Sequence, residues 1–460
     1  MSNSSIEEIS YEHIPLEQRN GTAKELFFTW FAASTVSTTL VTGSLAIVLG
    51  LNFWWSLVAI LLGHAIGATI MALHSATGPK AGLPQVVQSR AQFGYFGAIL
   101  PMVIILIMYL GYGATNTVLV GQGMEETLGL NMNVTVIVSL IPMVLLAIFG
   151  QGLLQKSMKI YTIGFTAVFI ILSIMILMNV SMELLNAGTF SFSQFLLMTS
   201  ICVTWQITYG PYVSDHSRFI HPSQSKKVFT YSYLGSFASS VWLMVLGAAI
   251  ATMVVNGNVM AQIKDMGSLG FIIALLLSLG VLVINSLNIY GAGIIILSIA
   301  SNFLTFKTSA RLRTITSIAI GVIIALIATW SSDNFMANFQ LYLGFILFFI
   351  IPWSMITLTD FYVLKRVHYP PDEFNKKDGI FGKINIPTMI IYLLTIFIQI
   401  PFINTELYVG PIAKMLDGLD IAWIIGGAVS FLLYISFAKL TAPAKLTVDV
   451  YPTSNVPENN

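Results

Sequence analysis

Apolar stretches of about 20 residues recur from residue 26 to residue 438, separated by short polar connections. Each is long enough to cross a hydrocarbon core of about 30 Å as a helix. Lipid gives the backbone no hydrogen-bond partners, so such runs must fold as membrane helices. Composition agrees. The 460-residue chain is 56% hydrophobic and 9% charged, against about 25% charged in soluble domains. The net charge of +1 comes without a basic cluster, so no nucleic-acid partner is implied. Cys202 is the single cysteine, which leaves no intrachain disulfide and no cysteine metal site. No metal and no cofactor are expected. The polar first 25 residues lack the apolar core and cleavage site of a leader, so no cleaved signal peptide is expected. The tail after Lys445 reads as unstructured.

Twelve spans are expected, near 26–50, 53–77, 96–123, 133–152, 158–182, 192–214, 229–255, 268–300, 314–330, 337–361, 386–404 and 419–438. The eighth is too long for one upright crossing and must tilt, bend or extend beyond the lipid. With the N-terminus inside, nineteen of the 21 Lys and Arg fall on the cytoplasmic side. Only Lys264 and Lys414 fall outside. This asymmetry places both termini in the cytoplasm of a multi-pass plasma-membrane protein.

Helix breakers inside spans are informative, because irregular backbone at membrane depth must line a cavity or be buried in protein. The sixth span, 201-ICVTWQITYGPYVSDHSRF-219, carries Gly210-Pro211, which reads either as a plain kink or as a working break. The first span, 32-AASTVSTTLVTG-43, holds six hydroxyl residues over 34–42, either helix-packing glue or ligand groups. If the first ten spans form two five-helix halves, these two segments each open a half. Matching interrupted helices are the sequence mark of a transporter site near mid-membrane.

The third helices of the halves match in polarity, 109-YLGYGATN-116 and 285-NSLNIYGAG-293. Asn285 and Asn288 are three apart, and Tyr112 and Asn116 four apart, so each pair shares a helix face. An aromatic face with amides, enclosed by apolar helices, suits a flat, uncharged, polar heterocycle. The alternative is that the asparagines bond neighbouring helices.

At these residues the chain resembles the purine–cytosine permeases of the nucleobase:cation symporter-1 family, over residues 11–365. The segments that carry the resemblance are 78-GPKAGLPQVVQSRAQFG-94, the DHSRF ending at 215–219, NIY at 288–290 and 357-TLTDFYVLKR-366. It implies an all-α membrane protein with a LeuT-like fold, two inverted five-helix repeats plus two C-terminal helices. The implied units are a cytoplasmic segment 1–25, repeats 26–182 and 192–361, a cytoplasmic loop 362–385, two extra helices 386–438 and a cytoplasmic tail 439–460. It also implies symport of a nucleobase or related ring with a cation. By position, Tyr112 and Trp205 are the stacking aromatics, and Asn116, Gln206 and Asn288 read the ring edge.

One departure bears on the ion. Sodium-coupled members have two adjacent hydroxyl residues just before the eighth-span asparagine, where this chain has Val283 and Ile284. A hard cation needs oxygen ligands, so proton coupling is the expectation, although Thr35 and Ser37 offer compensating oxygens. Asp215, His64 and His74 are the candidate proton carriers. Asp215 alternatively caps its helix or pairs with Arg218 or Arg90, and His64 alternatively satisfies a packed carbonyl. Other readings are a sodium-coupled symporter of allantoin, hydantoin or a vitamin-precursor ring, or an uncoupled facilitator. The chain has no HExxH, GxSxG or phosphate-loop motif, so an enzyme is not expected.

Overall fold

The computed structural model describes residues 13–149, 151–253, 258–304, 309–364 and 371–442, with backbone only for 151–156, 158 and 159. Residues 1–12 of the N-terminal segment, Lys307, Lys365, Arg366, Lys445 and most of the tail lie outside the described residues. Inner and outer below follow the charge asymmetry of the sequence.

The first span is two helices, α1 (Glu25–Ser34) and α2 (Ser37–Val48). They meet at 59°. The second span is α3 (Phe53–Ser75). Three short inner helices follow, α4 (Gly78–Ala81), α5 (Gln85–Gln88) and α6 (Arg90–Phe93). Then come α7 (Ile99–Leu128), α8 (Met132–Phe149), α9 (Gln151–Asn179) and short α10 (Met182–Asn186). The sixth span is α11 (Phe192–Ile207) and α12 (Gly210–Ser217), followed by α13 (Ser225–Ala251) and a short outer helix, α14 (Val259–Asp265). Next are α15 (Ser268–Ser301), α16 (Ala310–Ser331) and α17 (Phe335–Leu358). The last are α18 (Ile386–Gln399), short α19 (Pro411–Met415), α20 (Ala422–Ser436) and α21 (Ala438–Thr441).

Among the described residues, eight helices are long and apolar enough to cross a membrane singly. The broken first and sixth spans and the two shorter helices near the C-terminus make this set consistent with twelve crossings. The eighth span is one 34-residue helix, about 50 Å long, longer than the hydrocarbon is thick.

Capping residues set several starts. Asn52, Ser191, Asn258, Ser309 and Asn385 each accept a backbone N–H one turn into the helix they precede. The sixth-span break falls slightly earlier than its proline suggests. The ladder is interrupted at Thr208–Tyr209, and Gly210 and Pro211 are the first residues of α12. There the missing proline N–H costs nothing.

The spans sort into two bodies by their packing. Spans 1, 2, 6 and 7 form a bundle in which α13 lies on α1, α2 and α3, and α11 lies on α3. Spans 3, 4, 8 and 9 form a scaffold centred on the α7–α15 pair. Glycines weld the bundle. A methyl at Gly43 would strike the Met244 backbone, and one at Gly247 the Leu40 carbonyl. Gly63 and Gly67 meet the Thr199 and Val203 carbonyls in the same way. Such small-residue contacts replace hydrophobic burial as the packing force in lipid. On the outer side, Glu126 accepts from Asn258 (2.9 Å) and pairs with Lys264 (3.3 Å), tying α14 to α7.

Because backbone cannot move aside as a side chain can, Gly247→Val is expected to separate α2 from α13. The cost is at least the ~1–3 kcal/mol of overpacking, read as a lowered melting temperature in detergent and loss of monodisperse protein.

Candidate functional site

The two breaks meet at mid-membrane. Ser34, the last residue of α1, places its hydroxyl 3.0 Å from the Tyr209 hydroxyl at the sixth-span break. The other first-span hydroxyls mostly repair the backbone. Thr39 donates to the Ser34 carbonyl (2.7 Å) and Thr42 to the Thr38 carbonyl (2.7 Å). Thr35 donates to the Phe31 carbonyl (2.6 Å), so its proton is already used. Ser37 differs. It opens α2, is 1% exposed, and its hydroxyl has no hydrogen-bond partner among the described residues. Thr38 donates across to the Asn116 side-chain oxygen on α7.

Aromatic rings surround this point. Tyr112 and Trp205 contact each other edge to face, with centroids 5.9 Å apart and planes at 90°. Tyr112 also meets Tyr342 of α17 edge to face at 5.4 Å, and its hydroxyl lies 3.3 Å from the Thr208 hydroxyl. Tyr342 is held by a 2.7 Å bond from its hydroxyl to the Met108 carbonyl. The stacking pair is therefore present but touching, and a ring sandwiched between them needs about 7 Å between planes. The rings must part to admit it. One turn outward from Thr38 and Asn116, Val41, Leu119 and Gln122 line a cavity of about 450 Å³ that reaches residues 332–337 on the outer side.

The eighth-span amides divide their work. Asn285 is fully buried and donates to the Gly113 carbonyl (3.0 Å) and the Thr117 hydroxyl (2.9 Å) of α7. Asn288 is half-buried and donates to the Asn285 oxygen (3.1 Å). Its stripe on α15 includes Ile284, which packs on the core cluster that contains Trp205, and Gly291, which faces the Tyr109 ring. Asn288 thus stands at the level of Tyr112. Val283 and Ile284 present only aliphatic side chains there.

Gln206 is not beside the ring edge. It donates to His64 Nδ1 (3.0 Å) and accepts from Ser236 (2.5 Å), fully buried between α3 and α13. Consecutive helical residues point about 100° apart, so placing Trp205 toward α7 turns Gln206 into the bundle. His64 completes this cluster with Nε2 3.1 Å from the Met244 sulfur.

His74, one residue from the end of α3, belongs to an inner network. Its ring stacks on Trp353 at 4.9 Å, and Nε2 lies 2.7 Å from the Ser354 hydroxyl. Gln85 lies 3.4 Å from His74 Nδ1 and accepts from Ser214 (2.5 Å). The backbone N–H of Gln85 donates to Asp215 (2.8 Å). Asp215 therefore clasps α12 to the 78–94 segment. The guanidinium of Arg90 bonds elsewhere, to the Phe374 carbonyl (2.8 Å) and Asn375 (3.0 Å). Further out in this layer Asp360, 1% exposed, accepts from Gln92 (2.7 Å) and Tyr434 (3.0 Å).

Thr38, Thr208, Tyr209, Tyr342 and Asp360 were not singled out in the sequence. Thr38 sits in the hydroxyl run, and Tyr209 precedes the glycine–proline pair, so position hinted at both. Tyr342 carries no local signal in an apolar span.

The fold and this site define a membrane transporter built on paired broken helices. A family model described as "Permease for cytosine/purines, uracil, thiamine, allantoin" matches residues 13–426, and the chain belongs to that family. It is 38% identical to a putative purine-cytosine permease, YxlA, of Bacillus subtilis, over 94% of this chain and 96% of that one. It is 22% identical to the purine-cytosine permease fcyB of Emericella nidulans, over 94% of this chain and 88% of the relative. An inward-facing conformation of Mhp1 superposes with a TM-score of 0.78 at 16% identity, covering 96% of this chain and 95% of that chain. The LeuT-like architecture expected from the sequence is therefore the fold of this protein.

Gln206→Leu leaves His64 and the Ser236 hydroxyl without their partner. It is expected to lower thermal stability by about 1–3 kcal/mol while the KM of the transported ring changes less than threefold. Parallel melting and uptake measurements check this.

Proposed function

We propose that this protein imports a nucleobase, a purine or cytosine, by proton-coupled symport and alternating access. It would do so in the plasma membrane, with both termini cytoplasmic. The halves are 26–182 and 192–361, with 386–438 as added helices. One observation carries the reading. Tyr112 and Trp205 meet edge to face, Asn116 takes the Thr38 hydroxyl beside the first-span break, Asn288 stands at the level of Tyr112 on span 8, and a cavity of about 450 Å³ opens further out. The ring enters from that cavity as Tyr112 and Trp205 separate, stacks against them, and meets the amides at its edge. Spans 1, 2, 6 and 7 then rock against spans 3, 4, 8 and 9.

Protons are favoured over sodium because Val283 and Ile284 supply no oxygen to a cation beside the first-span break. Ser37 and Thr35 retain lone pairs there, so a sodium-driven result has a defined structural origin. Among the proton candidates, the structure supports Asp215 and His74 above His64. Both lie in the inner network that joins α3, α12 and α17, whereas His64 is packed within the bundle alone.

Uptake of labelled cytosine, adenine and hypoxanthine into proteoliposomes, under an imposed proton or sodium gradient, tests the reading. Proton-driven accumulation is expected, with Asn288→Ala raising KM about tenfold or more. Accumulation driven by sodium alone overturns the coupling assignment, and uptake of none of the three overturns the substrate. Asp215→Asn is expected to abolish gradient-driven accumulation while counterflow exchange persists. Loss of both equally would assign Asp215 to structure.

A further inference from the structure

The amide of Asn288 has its direction imposed on it. Asn285 is fully buried, and its nitrogen is enclosed by acceptors, the Gly113 carbonyl, the Thr117 hydroxyl and, at 3.2 Å, the Met143 sulfur. The Gly113 carbonyl only accepts. The Thr117 hydroxyl gives its own proton to that same carbonyl at 2.8 Å. A flipped Asn285 would aim its oxygen at a carbonyl oxygen and leave buried donors unmet, a cost of about 1–3 kcal/mol for each group. Its oxygen must therefore face Asn288, and that oxygen only accepts. Asn288 is in turn compelled to point its nitrogen at Asn285, at 3.1 Å. What remains for a ligand is the Asn288 oxygen.

We propose that Asn285, braced by Gly113 and Thr117, is a positioning residue that fixes Asn288 as a hydrogen-bond acceptor. The transported ring is thereby required to present an exocyclic amino group as donor to span 8. This deepens the nucleobase reading and rests on it. The relay lies wholly within α7 and α15, inside one body, so rocking of the bundle does not disturb it. Asn116 is set the opposite way. Its oxygen takes the Thr38 proton, which leaves its nitrogen as a donor to the substrate. The site thus asks for a donor on one edge of the ring and an acceptor on another.

The test uses ring pairs that differ by one exocyclic amino group and no added bulk, cytosine with pyrimidin-2-one and adenine with purine. Inhibition constants against labelled cytosine uptake are measured for the wild type, Asn285→Ala, Asn288→Ala and Thr117→Val. The wild type is expected to prefer the amino-bearing member of at least one pair by roughly 10–100-fold, the worth of one unmet buried partner. In Asn285→Ala the freed amide turns its nitrogen outward for the ring without the amino group, whose neighbouring ring nitrogen accepts. That ring then binds more tightly than it does to the wild type, and the preference falls below about threefold. Asn288→Ala, at a half-buried position that tolerates truncation, lowers the preference by weakening the amino-bearing ring alone. Thr117→Val removes one of the two braces and is expected to reduce the preference less than Asn285→Ala does. Equal weakening of both rings in Asn285→Ala, or no preference in the wild type, overturns the positioning role while leaving nucleobase transport standing. Should Asn285→Ala fail to fold, an unchanged preference in Asn288→Ala overturns it instead. Failure of the wild type to take up cytosine overturns the nucleobase reading, and this inference with it.

Discussion

Inside lipid every backbone donor and acceptor must find a partner within the protein. The structure depends on how the chain handles the two places where its helices stop short. At Thr35–Val36 and Thr208–Tyr209 the ladder is interrupted. The freed groups are taken up by side chains that also bring the breaks together. Thr39 closes on the Ser34 carbonyl, and the Ser34 hydroxyl meets Tyr209. A hydroxyl-rich first span is thus the means by which an interrupted helix survives in hydrocarbon. Ser37 is the one buried hydroxyl of this run with no hydrogen-bond partner among the described residues.

Much of this was legible in the sequence, and the reasons differ by level. Span positions followed from apolar length, since a membrane helix answers to one physical requirement. The first-span break was legible because serines and threonines are too costly in lipid to cluster without purpose. The sixth-span break was legible through Pro211, although proline marks the start of the second half-helix and not the gap itself. Gln206 was not legible. Placing it beside Trp205 by resemblance ignored the 100° turn between neighbouring helical residues. Asn285 and Asn288 looked alike as sequence, and only their partners separate a fully buried amide that bonds α7 from a half-buried one that bonds Asn285 alone. Tyr342 was invisible, because an aromatic in an apolar span has no periodic signature.

The acidic and histidine groups show the same division between type and place. His64 and His74 are ten residues apart on one helix, and both are fully buried. One is packed between Gln206 and Met244 inside the bundle. The other joins α3 to α17 through Ser354 and approaches the 78–94 segment through Gln85. A group that changes charge can drive a transition only if the two states treat that charge differently. A histidine enclosed by one rigid body has the same neighbours throughout. A histidine or carboxylate at a joint between bodies does not. Asp215 and His74 instead bond beyond the bundle, to span 10 and the 78–94 segment.

The same criterion explains why the molecule has a joint at all. Within the bundle, glycines let backbone lie on backbone, as at Gly43 on Met244 and Gly247 on Leu40. Within the scaffold, Asn285 bonds α15 to α7 through groups that are fully satisfied. Between the two bodies near mid-membrane, the bonds are of another kind: Thr38 to Asn116 and Thr208 to Tyr112, single hydroxyl contacts worth about 1 kcal/mol each. Tyr112 and Trp205 add an edge contact of similar size. Breaking these costs a few kcal/mol, a sum that one stacked ring and two amide hydrogen bonds offset. Under the proposed function, substrate and inter-body contacts would compete for the same groups. That is the condition under which a bound ring would loosen one arrangement of the bodies in favour of another.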